Sequence, residues 1–433
     1  MDIQEGLAMA GTMTRRRYAV VLMLFVTVTI NYLDRANMSL AVPSLRAQFH
    51  LGAPQLGLLL AGFGWTYVLC QIPGGLLVDR VKPRYLYAAA IALWSLATLF
   101  AGMAGGLAAL VLARLAVGVF EAPSYPMNNR IVSFWLPDAE RAGAIAVYTS
   151  GQYVGLAFLA PVLMALQSAA GWRAIFLLTG GLGLLWAVVW AIFYRDPRDA
   201  KRASATELAH IAAGGGLVAG PAKPRFGKAE LALVLGRRKL WGLYVGQFCL
   251  TSTQWFFLTW FPEYLVHARH MSFIKAGFFG SIPFIAAFCG VLCGGFFSDF
   301  LLRRGVSLGN ARRIPIVAGF LVSTIIVGAN YAQDMVIVMG CLTIAFFGNG
   351  FASQTWALVS AIAPRRCLGL TGSVFNVFGN LPGIVVPLLV GLLVRGGNFA
   401  PALQLVAGLA LLGAFSYVVL VGRAQRVGDE QLP

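Results

Sequence analysis

Apolar residues in this chain run on for twenty positions or more, then stop at short polar breaks that are mostly basic. A run of about 20 apolar residues is what a helix needs to cross the hydrocarbon layer of a bilayer. Twelve stretches qualify: residues 18–43, 54–78, 85–104, 108–135, 142–167, 172–194, 239–265, 273–301, 314–332, 334–362, 368–394 and 400–422. The pattern predicts an all-α integral membrane protein. One break is long, the Lys/Arg-rich stretch 195–238 with Gly214-Gly215-Gly216 and Pro221, and it divides the spans six and six. The predicted organisation is therefore a tail at 1–17, a six-helix half at 18–194, a linker at 195–238, a second six-helix half at 239–422 and a tail at 423–433. Within the linker, 205–213 is expected to form a short surface helix. The glycine run follows no strand and precedes no Gly-Lys-Ser, so it gives no phosphate-binding signal.

Composition strengthens this reading. The 433 residues are 59% hydrophobic and 11% charged, with a mean hydropathy of +0.76, far from a soluble domain. Fifty glycines suit membrane helices, where small residues let backbones approach. A net charge of +17 raises nucleic acid as a partner until its distribution is followed. Arg35 and Arg114 lie inside spans, and Arg46, Arg173, Arg269, Lys275 and Arg395 fall on one side. The remaining 26 Lys and Arg fall in the tails, the loops of the other side and the span ends that adjoin them. That asymmetry predicts cytoplasmic termini and a bacterial inner-membrane location, with the bilayer as partner and nucleic acid excluded. The start Thr14-Arg15-Arg16-Arg17-Tyr18 lacks a cleavage site after it and is read as leading into a retained first helix. The six cysteines sit in or at the edges of spans, which indicates neither a disulfide framework nor a metal cluster.

Charge inside the spans is rare and therefore informative. Asn31, Asp34 and Arg35 share one face of the first span at i, i+3 and i+4. Arg114 and Glu121 are seven residues apart, two helical turns, on one face of the fourth. Intramembrane ionisable groups are costly and usually face a cavity or ion pathway. The alternative is a pair of buried ion pairs that only fix helix packing; two such constellations in one half favour a translocation pathway. Glu121-Ala122-Pro123-Ser124 then interrupts the helix.

The two halves repeat. Gly74-Gly75-Leu76-Leu77-Val78-Asp79-Arg80 recurs 220 residues later as Gly294-Gly295-Phe296-Phe297-Ser298-Asp299-Phe300, each copy followed by basic residues. Glycine, three residues, Asp and a basic residue after the second span resembles the signature of the major facilitator superfamily, with Lys82 where that family usually has glycine. The resemblance covers the whole chain. It implies a twelve-helix fold of two pseudo-repeated halves around a central cavity, with Gly75, Asp79, Arg80, Gly295 and Asp299 as a conformational latch.

Within that family, Asn31-Tyr32-Leu33-Asp34-Arg35, Tyr67, Arg114 with Glu121, Gln152, Gln254, Ser353-Gln354-Thr355-Trp356 and Asn376 resemble the organic anion:cation symporter branch, and most closely its bacterial sugar-acid members. The resemblance implies a proton-coupled symporter of a galactonate-, hexuronate- or glucarate-like anion. Asp34 and Glu121 would be its protonation sites, with Arg114 beside them and Tyr32 and Arg35 toward the substrate. The residue chemistry agrees. A carboxylate favours the planar guanidinium of Arg. Polyol hydroxyls favour amide and hydroxyl partners such as Tyr67, Gln152, Gln254, Ser353, Thr355 and Asn376. Trp356 and Trp255 can present an apolar face to the carbons. Gln254 stands 220 residues after Asp34, so the first half is expected to handle protons and the carboxylate and the second to read hydroxyls.

Other classes fit less well. A drug/proton antiporter would carry a glycine-proline motif in the fifth span, which here reads Gly151-Gln152-Tyr153-Val154-Gly155. An enzyme needs a nucleophile, metal or cofactor constellation. His267 and His270 near Glu263 read as a solvated face, not a zinc site. A receptor would need a signalling domain larger than this linker. No cofactor beyond the coupling proton is expected, and a monomer encloses the path; tartrate or an aromatic acid stays open as the anion carried.

Overall fold

In the computed structural model, which describes residues 14–200, 203–216, 228–364, 368–422 and 426–427, each of the twelve runs is helical. Cys367, Pro221 and most of both tails lie outside the described residues. The first six spans are α1 Arg16–Phe49, α2 Ala53–Arg80, α3 Pro83–Gly102, α4 Leu107–Glu121 continued by α5 Ser124–Trp135, α6 Asp138–Val154 continued by α7 Ala160–Ala170, and α8 Trp172–Phe193. The linker holds α9 Ala205–Ala213 and α10 Lys228–Gly236. Next come α11 Arg238–Thr259 with the short α12 Phe261–Glu263, α13 Phe273–Arg303 and α14 Leu308–Ser323. The last spans are α15 Met335–Phe351 with α16 Thr355–Ile362, α17 Leu368–Asn380 with α18 Pro382–Leu393, and α19 Ala400–Phe415.

Eleven helices among the described residues are long and apolar enough to cross a membrane. The span built on α11 is the exception, because it carries Gln247, Thr251, Ser252, Thr253 and Gln254 in succession. Its hydroxyls fold back on its own turns, Thr251 donating to the Gln247 carbonyl at 2.9 Å and Ser252 to the Phe248 carbonyl at 2.7 Å. The helix thus stays satisfied while its amides remain for neighbours.

Several spans are broken where sequence length alone reads them as continuous. Pro123 has no N–H to donate, and the turn at Ala122-Pro123 separates α4 from α5 directly after Glu121. Wide π turns cover Gly155–Leu159 and Tyr264–Ala268, and a tight 3₁₀ turn covers Ala352–Gln354. Such irregular turns reorient the side chains that follow them.

The face bearing α1's first residue is called here the terminal face, and the opposite one the far face. The far-face ends of the first and last six spans are pressed together along glycine seams. A Cβ on Gly64 of α2 would stand 2.5 Å from the Gly383 carbonyl of α18, and one on Gly57 2.7 Å from the Pro387 carbonyl. Only glycine permits that approach of two backbones. Beside this seam Arg46 of α1 pairs with Glu263 of α12 at 2.6 Å. Glu263 is fully buried. His267 and His270 are exposed, as a solvated face requires, while Glu263 departs from that expectation by its burial.

On the terminal face α9 occupies the expected residues but is docked rather than loose. Ser204 caps it by accepting from the Glu207 amide, and Glu207 is itself buried. The Glu207 carboxylate accepts from the backbone amides of Arg16 and Arg17 at 3.1 and 3.0 Å, supplying the N-terminal cap that Arg15 does not provide for α1. Arg17 also reaches Glu140 at 2.8 Å, and that hydrogen bond holds the Glu140 carboxyl below its ordinary range.

Candidate functional site

The charged residues singled out in α1 and α4 converge in the interior of the first six spans. Asp34, Arg35, Arg114 and Glu121 are each no more than 4% exposed. Helical periodicity turns Arg35 toward α4, where the last residue before the Ala122-Pro123 turn is Glu121, and the two form a buried ion pair. Arg35 Nε donates to Glu121 Oε1, and Arg35 Nη2 faces the same oxygen in the ion pair.

Around the guanidinium stand three aromatic rings: Tyr32, Phe63 and Tyr67 have their centroids 4.9, 4.9 and 4.8 Å from the Arg35 carbon. Each such contact is worth about 0.5–2 kcal/mol when desolvated, so the cage supports a cation that the bilayer interior would otherwise reject. Phe63 is a site residue the sequence reading missed. It lies one turn before Tyr67 on the same face of α2, and its ring stacks on that of Tyr67 with centroids 5.0 Å apart.

Arg114 donates to the backbone carbonyls of Asp34 and Arg35 at 3.3 Å each, so it braces α1 and leaves the carboxylates to others. Asp34 Oδ1 accepts from Asn37 Nδ2 at 3.3 Å, and Asn37 also donates to Thr179 of α8 at 2.5 Å. The Thr179 hydroxyl and the Trp94 indole also face the Asp34 carboxyl. Asn37, at i+3 from Asp34, was legible by spacing and was not singled out.

The predicted polar residues form separate groups instead of one closed cage. Gln254 of α11 donates to Gln152 of α6 at 3.4 Å, a hydrogen bond across the two sets of spans. Trp255 is buried, 6.0 Å centroid to centroid from Phe63, and so joins the aromatic cage to α11. Thr355 is buried and donates to Gln247 at 2.9 Å. Gln247, two turns before Gln254, was also missed despite that spacing. Asn376 of α17 accepts from Asn380. Ser353 sits half-buried in the 3₁₀ turn. Trp356, expected to close over a ligand, is 49% exposed and packs edge-on against Phe375 with centroids 4.8 Å apart.

The repeated motif is also placed differently. A Cβ on Gly75 would meet nothing within 4 Å, whereas one on Gly74 would lie 3.2 Å from Pro123. In the second copy a Cβ on Gly294 would clash with the Phe351 carbonyl, while one on Gly295 would meet a single Gln354 atom at 3.6 Å. The close approach belongs to Gly74 and Gly294, one residue before the glycines expected. Asp299 pairs with Arg312 of α14 at 3.1 Å, and Arg80 is exposed; the Asp79 side chain lies outside what the structure describes. Among the described residues no group of three or more His, Cys, Asp or Glu is placed to hold a metal ion.

The arrangement buries two carboxylates and two guanidinium groups in one interior. Known proteins resemble the chain along most of its length. A model of the Major Facilitator Superfamily matches residues 24–387. The D-galactonate transporter of Escherichia coli O6:H1 is 49% identical over 99% of this chain and 100% of its own. The probable galactarate/D-glucarate transporter of Bacillus subtilis is 39% identical over 96% of this chain and 94% of its own. The probable sulfoacetate transporter of Cupriavidus necator is 30% identical over 89% and 90%. Among solved structures, a D-xylose-proton symporter has a TM-score of 0.72 at 15% identity, covering 95% of this chain and 99% of its own, a likeness of fold.

Proposed function

The chain belongs to the Major Facilitator Superfamily, and from that premise we propose that it is a proton-coupled symporter importing a sugar-acid anion of the D-galactonate, hexuronate or glucarate class by alternating access. The observation that carries this reading is 49% identity with a D-galactonate transporter across essentially the whole of both chains. The buried Arg35–Glu121 pair gives it a chemistry.

With Glu121 ionised, its carboxylate occupies Arg35. A proton on Glu121 neutralises that carboxylate and releases the guanidinium for the substrate carboxylate, which it grips through two parallel N–H donors. Asp34, held by Asn37, is the second protonation site. Arg114 fixes the α1 backbone under both. Gln152, Gln254, Thr355 with Gln247, Ser353 and Asn376 read hydroxyl groups, and Trp255 covers the carbon chain. Two protons entering with a monoanion move one net positive charge inward, worth about 2.3 kcal/mol per 100 mV.

The basic tails and loops support cytoplasmic termini in a bacterial inner membrane. The sealed far face is then periplasmic, and the state is the inward-facing one. The halves 18–194 and 239–422 are the bodies that rock, tied by the linker 195–238. Asp299 with Arg312, and Asp79 with its neighbours, latch the terminal face in the opposite state. A monomer suffices, and the proton is the coupling ion with no cofactor.

The test is uptake of labelled D-galactonate, D-glucarate, D-glucuronate, tartrate and sulfoacetate into proteoliposomes under an inward proton gradient. Accumulation of a sugar acid that a protonophore abolishes supports the reading. Accumulation of sulfoacetate or tartrate alone moves the substrate class; exchange without gradient-driven accumulation moves the mechanism to an antiporter.

A further inference from the structure

A cavity of about 630 Å³ opens on the outer wall of the first six spans, between the start of α1 and the end of α8 near the terminal face. It is separate from the Arg35–Glu121 site and no step proposed above uses it. Its lower part is apolar: Leu22, Met23, Ile192 and Phe193 line it. Leu22, Ile192 and Phe193 are 60%, 56% and 62% exposed, on helices that cross a membrane, so acyl chains are what they meet.

Its mouth is basic, lined by Arg16 and Arg195. Arg16 precedes Leu22 by six residues on α1, about 9 Å at 1.5 Å per residue, which is the step from headgroup level into the hydrocarbon. Arg195 follows Phe193 by two residues, so both helices put their guanidinium above their apolar residues. Arg16 has no side-chain partner among the described residues, since Glu207 takes its backbone amide. Arg195 is fixed: its Nη1 donates to the Ala191 and Tyr194 carbonyls at 3.1 and 2.7 Å, and the Trp135 indole donates to its own carbonyl at 3.2 Å. Its Nε and Nη2 donors are left over. The one carboxylate on the lining, Asp199, pairs with Lys82 at 2.9 Å, a hydrogen bond that holds its carboxyl below the ordinary range.

We propose that this cavity binds an anionic phospholipid, its phosphate between Arg16 and Arg195 and its acyl chains over Leu22, Met23, Ile192 and Phe193. Basic pockets at the ends of membrane helices recognise anionic headgroups in this way, and paired guanidinium groups suit a phosphodiester. Ala200 and Ala203 also line the cavity, so the lipid ties the start of the first span and the end of the sixth to the linker.

Native mass spectrometry of the full-length protein in detergent tests this, with dioleoyl phosphatidylglycerol, phosphatidylethanolamine and phosphatidylcholine titrated separately. Phosphatidylglycerol is expected to bind most tightly. R16Q and R195Q should each weaken it roughly fivefold, and together about 25-fold, with phosphatidylcholine unchanged. R15Q, an exposed neighbour outside the cavity, should leave the preference intact, and R16Q alone keeps the test independent of folding. Equal retention of the three lipids by the wild type, or an undiminished phosphatidylglycerol preference in the double variant, overturns the proposal. So does displacement of the lipid by millimolar inorganic phosphate, which marks a site for a free anion.

Discussion

The first and last six spans share a repeated motif, yet their interiors hold different chemistry. In the first, charge is gathered: Arg35 against Glu121, Arg114 against two carbonyls of α1, Asp34 against Asn37. In the second, the equivalent depth holds neutral amides and hydroxyls, with Gln247 bonded to Thr355 and Asn349 donating to the Leu250 carbonyl at 2.8 Å. Buried charge is expensive unless paired, and each pair can be opened by a proton or an anion. Neutral hydrogen bonds cost little to exchange and discriminate by geometry. On the proposed function, that difference assigns coupling to the first set, where charge is concentrated, and recognition to the second.

Substitutions sharpen that division. The largest effect is expected from Glu121→Gln, which leaves the Arg35 charge without its counter-ion. Breaking a buried pair from one side costs about 3–5 kcal/mol. Gradient-driven accumulation should vanish and the thermal unfolding midpoint fall, while substrate exchange between equal pH values survives. Arg35→Lys follows: the charge stays but the planar fork and its aromatic cage are lost, and we expect a rise in KM of ten- to a hundredfold, roughly 1.4–2.7 kcal/mol.

The next test concerns the charged link that crosses between the two sets. Arg46→Gln removes the partner of buried Glu263 at the far face. It should shift the population toward the state open on that face, read as faster labelling of a cysteine placed at Ala53, a buried residue at the far-face start of α2. Labelling unchanged from wild type would show that the glycine seam alone holds this face shut. The smallest effect is expected in the second set. Thr355→Val deletes one neutral hydrogen bond to Gln247 and should cost about 0.5–1.5 kcal/mol of substrate affinity, a few-fold to tenfold, with proton coupling intact. Loss of coupling in Thr355→Val would erase the division between the halves.

The fold was readable because apolar run length is a local property, and the helices end within a few residues of the runs that announce them. The site was readable where chemistry was rare. Asp34, Arg35, Arg114 and Glu121 stand out because so few charges occur within spans. What spacing did not reveal depends on contacts between distant segments. Arg46 and Glu263 are 217 residues apart and meet only because the far-face ends converge. Each helical residue is turned about 100° from the last, so whether Gly74 or Gly75 meets Pro123 is set by the neighbour, and the repeat alone could not choose between them. Trp356 was expected to present an apolar face to the substrate carbons; just after the turn at Ala352–Gln354 it packs edge-on against Phe375.

The central claim is that a proton on Glu121 exchanges with a sugar-acid carboxylate on Arg35. It is tested most directly by trapping a pH-sensitive dye inside proteoliposomes and adding D-galactonate outside with no initial pH difference. The account predicts acidification of the lumen with wild-type protein, and none with Glu121→Gln although labelled D-galactonate still exchanges. Entry of D-galactonate without acidification, or full acidification with Glu121→Gln, would contradict it.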